Sequence, residues 1–159
     1  MTTRSLDNQI KMLHFQLKNT HVCVDIRYVD KIISLLQLEP VPNSPPYLAG
    51  LMSLEEKIIP VIDLAMRLGM HREQPYTIDI PILLCTYEAQ QAGLIIDKVM
   101  GLVTINKQNI QMHEEFNSVE TPFIGSVTLH DDLSLLLNMN HIFPLNINID
   151  LKNKKRGDK

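Results

Sequence analysis

The sequence predicts an all-β protein with short helices, built as two small five-stranded barrels that share a core. Three observations support this fold class. Short apolar segments with the two-residue alternation of strands recur along the chain, and turn-forming residues separate them. The chain also contains an internal repeat, offset by about seventy residues, which is the signature of duplicated supersecondary units. Small barrels packed together satisfy all three observations.

The first half contains five predicted strands. Residues 10–17 and 22–27 alternate apolar and polar side chains and form a hairpin. Residues 29–36 combine β-branched residues with leucines at helical spacing, and we interpret them as a strand. Prolines between residues 39 and 46 then interrupt regular structure, because each removes a backbone donor. The fourth and fifth strands, 48–54 and 57–63, meet at an acidic turn.

A short helix should end the first half. Asp63 is placed to cap the N-terminus of residues 64–68, and Gly69 to end that helix. The polar residues 71–76 form the best internal linker. Five more strands are predicted at 78–87, 93–96, 99–105, 123–129 and 133–137, with a polar stretch at 106–120. Asn138 then caps a helical turn that extends to residue 143.

The repeat joins these two sets of strands. Residues 24–29, VDIRYV, are echoed by residues 95–99, IIDKV. Residues 46–56, PYLAGLMSLEE, correspond to residues 122–132, PFIGSVTLHDD. Each copy runs from a proline and an aromatic residue into a strand, an acidic turn, a second strand and a capped helix. We therefore expect one domain at 10–143, with subdomains at about 10–70 and 76–138 and the short helix at about 138–143, an N-terminal extension at 1–9 and a tail at 144–159.

The composition limits the classes of function and the cellular compartment that we expect for this protein. The formal net charge of −3 over 159 residues argues against a phosphate-binding surface, since nucleic-acid affinity depends on clustered Lys and Arg. A small barrel that binds nucleic acid is therefore the weaker, alternative hypothesis. Cys23 and Cys85 lie in apolar segments and read as buried thiols. Neither a secretory leader nor an apolar run of roughly 20 residues is evident, so we expect a cytoplasmic protein without direct membrane insertion.

Catalytic and metal-binding patterns are not apparent. The sequence has no G-x-S-x-G elbow and no glycine-rich phosphate loop. The six histidines lack the short spacings of metal sites, and His113, Glu114 and Glu115 read as a solvated acidic turn. We therefore expect a non-enzymatic protein with no catalytic residue, metal or cofactor.

The order of these features resembles the CheW-like domain. That family has a run Y-G-I-D-I-x-x-V-x-E-I, which is matched here by residues 22–32, VCVDIRYVDKI. It then has P-x-x-hydrophobic-x-G, followed by N-L-R-G-x-I-x-P-hydrophobic-hydrophobic-D-L, and residues 45–64 correspond to these motifs. The most specific element is IIPVIDL at residues 58–64, and residues 92–99 and 123–126 match the second half. The resemblance covers roughly residues 10–143.

The resemblance implies two five-stranded SH3-like β-barrels with a shared core. It also implies an adaptor that couples the cytoplasmic tip of chemoreceptors to the regulatory domain of a CheA-type histidine kinase, recruited to membrane receptor arrays. The kinase-binding positions of the family correspond to Val29, Lys31, Gln111 and Phe116. Those of the receptor groove correspond to Ile33, Val41, Val99 and Leu102.

Two departures from the family pattern concern charge. Glu55 and Glu56 stand where the family usually has Arg-Gly, and Lys31 stands where it tends to have Glu. Losing the glycine should change the turn type or strain it. Reversing the charge of the arginine should turn its attraction to a neighbouring carboxylate into repulsion. We expect partner choice to be altered through charge.

Overall fold

The computed structural model describes residues 8–34, 37–112, 121–143 and 145. In this part of the chain two β-sheets are accompanied by short helices. The strands are β1 Gln9–Leu17, β2 Thr20–Asp25, β3 Val29–Ser34, β4 Leu48–Leu54, β5 Lys57–Asp63, β6 Pro81–Tyr87, β7 Gln90–Ile95, β8 Lys98–Asn106, β9 Gln111–Met112, β10 Phe123–Leu129 and β11 Asp132–Leu137. The helices are α1 Leu64–Arg67 and α2 Met139–Ile142, with single 3-10 turns at Ile26–Tyr28 and Lys107–Asn109. The all-β prediction is confirmed.

Each half of the chain contributes one hairpin to the sheet that is formed mainly by the other half. The six-stranded sheet has the order β8-β1-β2-β11-β10-β9, and the five-stranded sheet has the order β3-β6-β7-β5-β4. The β1–β2 hairpin thus lies with strands of the second half, and the β6–β7 hairpin lies with strands of the first. Parallel pairs, β2 with β11 and β5 with β7, make the two joins. Each sheet therefore contains strands from both halves of the chain, and the subdomain spans of 10–70 and 76–138 stay a prediction.

Successive side chains of β1 and β6 point to opposite faces of their sheets, and this divides the apolar interior into three layers. Leu13 and Phe15 on β1, with Leu83 and Cys85 on β6, face a cluster that contains residues of both sheets. The intervening residues face the interior of their own sheet. We call the first cluster the shared core. The predicted shared core is thus confirmed. It is stable because packing the inner faces of both sheets in one layer removes their apolar side chains from water.

A glycine in each half permits a second segment to cross a strand. A Cβ on Gly50 would lie 2.8 Å from the carbonyl oxygen of Glu39, which bridges to Leu51. A Cβ on Gly125 would lie 2.6 Å from the carbonyl oxygen of Gln111 on β9. These contacts are too short for any side chain, so the glycines of the repeat mark equivalent backbone crossings.

Both helix caps are confirmed. Asp63 accepts a hydrogen bond from the backbone N–H of Met66 at 3.1 Å, and Asn138 accepts one from Asn140 at 3.1 Å. Gly69 has φ of 87°, a left-handed conformation that ends α1.

Some predicted boundaries were wrong. The strand expected at 78–87 begins at Pro81, and Ile78 lies 89% exposed in the preceding turn. Pro81 lacks an N–H and suits the first position of a strand. The strand expected at 93–96 extends over Gln90–Ile95, and the polar stretch contains the short strand β9. Residues 35 and 36 of the predicted third strand lie outside the described residues.

Candidate protein-binding surface

Matching irregularities shape the third strand of each half. The β3–β6 register shifts between Val29 and Lys31, and the β1–β8 register shifts between His14 and Phe15. Gly101 on β8 has φ of 137° at this point. Each shift inserts an extra residue and reverses the alternation beyond it, as a β-bulge does.

The bulges place one exposed apolar side chain of each sheet at the rim of the shared core. Ile32 pairs with Leu83 and Leu102 pairs with Leu13, and both partners are buried in that core. Ile32 is 44% exposed and Leu102 is 66% exposed. Met100, in the β8 bulge, adds a third exposed apolar side chain. We call these three residues the apolar rim.

The predicted receptor-groove residues occupy different environments. Val41 and Val99 are half-buried and pack against the shared core, and Leu102 belongs to the apolar rim. Ile33 instead packs against the inner cluster of the five-stranded sheet, because the bulge turns it away from the shared core. Ile33 was selected from the sequence and Ile32 was not, so both remain predictions for receptor contact. The repeat held the signal, since aligning Val29 with Val99 also aligns Ile32 with Leu102.

The predicted kinase-binding residues lie on edge strands of different sheets. Val29 and Lys31 lie on β3, at one edge of the five-stranded sheet, with Val29 half-buried and Lys31 exposed. Gln111 is exposed on β9, at one edge of the six-stranded sheet. Phe116 lies outside the described residues. Edge strands present unpaired backbone groups, so both positions are accessible to a partner.

An ion pair joins the two charge departures. Lys31 Nζ lies 3.1 Å from Glu55 Oε1, although β3 and β4 are at opposite ends of the sheet order. The sheet must therefore curl until its ends approach. The expected repulsion at the turn was wrong, because the reversed charge at position 31 faces the reversed charge at position 55. Both side chains are largely exposed, so the pair contributes little to stability.

The acidic turn retains a hairpin geometry at the cost of strain. Glu55 and Glu56 have φ of 50° and 67°, so both residues are left-handed, as in a type I′ turn. This conformation favours glycine, and each non-glycine residue in it costs about 1–2 kcal/mol. The strain expected from loss of the glycine is therefore present. Glu56 remains exposed beside the Lys31–Glu55 pair.

A largely buried arginine links the two sheets. Arg72 donates to both carboxylate oxygens of Asp63, which is fully buried at the end of β5. Its Nη1 also lies 3.0 Å from Asp97 Oδ1, and Asp97 Oδ2 accepts from the backbone N–H of Lys18 in the β1–β2 turn. The Tyr76 hydroxyl donates to Asp63 at 2.8 Å. We call these groups the Arg72 clamp, and they fix the positions of β5, β7 and the β1–β2 hairpin.

The cysteine thiols and the possible metal ligands of the described residues are poorly placed for nucleophilic chemistry or metal binding. Burial raises the pKa of the Cys23 and Cys85 thiols to about 12, so both stay protonated and weakly nucleophilic. Within residues 8–34, 37–112, 121–143 and 145, no three His, Cys, Asp or Glu side chains form a metal-binding group. His113, Glu114 and Glu115 fall outside those ranges.

Among the helices described, none has the length and apolar character to cross a membrane.

Comparison with known proteins gives consistent matches over most of the chain. The profile of the CheW-like domain matches residues 11–145. The sequence is 26% identical over 136 residues to the chemotaxis protein CheW of Rhizobium meliloti (strain 1021), covering 84% of this chain and 87% of that protein. It is 28% identical over 128 residues to the probable chemotaxis protein CheW of Rhizobium etli, covering 80% and 82%.

A solved structure shows the same architecture. The crystal structure of the scaffolding protein TtCheW from Thermoanaerobacter tengcongensis aligns with a TM-score of 0.76 at 27% identity. The alignment covers 86% of this chain and 94% of that one. The fold and the sequence thus point to the same family.

Proposed function

This chain belongs to the CheW-like domain family, and we propose that it couples chemoreceptors to a CheA-type histidine kinase. Its relatives are chemotaxis proteins and its structural neighbour is a scaffolding protein, so the chain is a chemotaxis adaptor. The finer proposal is a bridge between the cytoplasmic tip of a receptor and the regulatory domain of the kinase. It acts by binding, in the cytoplasm, at membrane receptor arrays.

The apolar rim is the observation that carries the receptor half of the proposal. Ile32 and Leu102 lie at matching positions of two sheets, and both extend an apolar core outward to solvent. A helical hairpin buries apolar side chains at helical spacing, and a rim of this kind offers them a matching surface. Val41 and Val99 are half-buried and pack against the same shared core. We propose that the receptor tip binds at the rim, with Ile33, the next residue on β3, at its margin.

The kinase half of the proposal rests on the two edge strands. Val29 and Lys31 on β3 form one contact, and Gln111 with Phe116 forms another. The Lys31–Glu55 pair adds a charge arrangement that a cognate kinase domain must complement. We propose that this arrangement excludes kinases matched to the opposite order of charges.

Receptor binding is tested with the full chain and a cytoplasmic receptor fragment. Leu102→Asp should weaken co-sedimentation at least about tenfold, because a desolvated carboxylate replaces an apolar contact. Thr128→Asp, at an exposed position on β10, is the matched control and should bind normally. Equal binding by both variants would remove the rim from the proposal, and binding of the unmodified chain to neither receptor nor kinase would overturn the function.

Kinase selectivity is tested with a charge exchange. Lys31→Glu should weaken binding of the cognate regulatory domain, since it opposes two carboxylates at the turn. The double variant Lys31→Glu with Glu55→Lys restores an internal ion pair in the opposite order. If the order of charges guides the kinase, the double variant should still bind its cognate domain poorly. Recovery of full affinity would show that the pair serves stability alone.

A further inference from the structure

The six-stranded sheet has an open pocket at one end of its interior. The pocket has a volume of about 440 Å³, which falls within the range of small-molecule sites. Six of the described strands contribute to it: β1, β2, β9, β10 and β11 of this sheet, and β6 of the five-stranded sheet through Tyr87. The pocket lies outside the apolar rim and shares no residue with the Arg72 clamp.

The wall of the pocket is apolar and adaptable. Its apolar lining includes the buried inner cluster residues Met12, Cys23 and Leu136, so the pocket reaches the inner cluster. Met112 and Met139 also line it. Methionine side chains are flexible and polarizable, and they adjust to apolar ligands of varied shape. Because burial keeps the Cys23 thiol protonated, the wall carries no charge there and the site suits reversible binding.

The mouth of the pocket is basic. Lys107, Arg27 and Asp25 line both the pocket and an adjoining cleft, and Lys11 lines the cleft. Arg27 is already paired with Asp25 at 3.0 Å. Within the described ranges, no ion pair is made by Lys11 or Lys107, so the mouth keeps an excess of positive charge in a chain whose net charge is −3.

From the apolar wall and the basic mouth, we propose that this pocket binds a small amphipathic anion, a compact apolar body with one carboxylate or similar head group. The body fills the interior beside Met12 and Leu136, and the head group lies at Lys107, within reach of Lys11. Charge complementarity selects an anion over a neutral or cationic analogue. The proposal does not rest on the proposed coupling function, although Met112 lies on β9 beside Gln111, a proposed kinase contact.

The test titrates the full chain with octanoate and with octan-1-ol by calorimetry. Octanoate should bind saturably at one site and more tightly than the alcohol. Lys107→Glu should weaken octanoate at least about tenfold and leave the alcohol nearly unchanged. Lys98→Glu, an exposed lysine on β8 that lines neither pocket nor cleft, is the matched control and should bind octanoate normally.

Met112→Trp tests the location, since this 62% exposed residue can be enlarged without disturbing a core. It should abolish binding of both ligands while the thermal unfolding midpoint is unchanged. Unaltered binding in Met112→Trp, or equal loss in Lys98→Glu and Lys107→Glu, would overturn the site. The site would also be overturned if the folded chain showed no binding of millimolar octanoate. It would be overturned in the same way if octanoate did not bind and Met112→Trp abolished kinase binding instead.

Discussion

The interiors of the two sheets match in position but differ in content. Val29 pairs with Cys85 and Val99 with Phe15, so Ile82 and Leu84 on β6 correspond to Met12 and His14 on β1. The interior of the five-stranded sheet is wholly apolar at these positions, and Ile80 and Tyr76 pack against it. The interior of the six-stranded sheet holds a buried histidine and an open pocket. A duplicated fold thus needs its shared core in both halves, while each inner cluster can diverge.

The sharpest test of this difference is a large-to-small substitution in each interior. Ile82→Ala should lower the free energy of unfolding by about 3–4 kcal/mol, because Ile82 is fully buried and leaves a cavity. Ile124→Ala removes a side chain that borders an existing pocket, so we expect a loss of about 1 kcal/mol. Urea unfolding of both variants measures the contrast. Similar losses would contradict the difference in packing.

The next largest effect is expected at the Arg72 clamp, which links the two sheets. Arg72→Met leaves the fully buried Asp63 without its cation, and breaking such a pair costs about 3 kcal/mol. Arg27→Met removes an exposed guanidinium from an equivalent type of pair and should leave the urea midpoint unchanged. If Arg72→Met unfolds at the same urea concentration as the unmodified chain, the clamp does not hold the sheets.

The buried histidine should make the six-stranded sheet sensitive to acid. His14 Nε2 lies 3.0 Å from His21 Nδ1. Burial, then the nearby His21, lowers the pKa of His14 below 6.5; Asp132 opposes this shift and His130 adds to it. The unfolded chain therefore binds this proton more readily, so stability is present above pH 6.5 and is lost as the pH falls below it, by at most about 1.4 kcal/mol per pH unit.

His14→Leu places at this position the residue type that β6 carries at position 84. Its unfolding free energy should depend less on pH between 7.5 and 5.5 than that of the unmodified chain. His71→Gln, a change at an exposed position, is the matched control and should keep the original slope. Equal slopes for His14→Leu and the unmodified chain would exclude His14 as the source.

The smallest expected change in unfolding free energy concerns the turns of the two acidic hairpins. Glu56 and Asp131 have φ of 67° and 69° at equivalent turn positions. Replacing either with glycine should raise the unfolding free energy by about 0.5–1 kcal/mol, because relief of left-handed strain exceeds the added entropy of the unfolded chain. Thermal unfolding of Glu56→Gly and Asp131→Gly checks this. A decrease in both would falsify the assignment of strain to these turns.

Local patterns alone predicted much of this molecule. The repeat, the strand alternation and the caps at Asp63 and Asn138 are properties of neighbouring residues, so the sequence revealed them. The same holds for Cys23 and Cys85, which lie in apolar runs and are buried. Motif order indicated the family over nearly the range that the family profile matches.

Long-range pairing decided the rest. The exchange of hairpins depends on β2 meeting β11 and β5 meeting β7, partners far apart in the chain, and local alternation carries no information about them. A single inserted residue in β3 moved Ile32 to the rim and Ile33 away from it, because a bulge reverses which face later residues occupy. The attraction between Lys31 and Glu55 likewise exists only because the sheet curls and brings its opposite edges together.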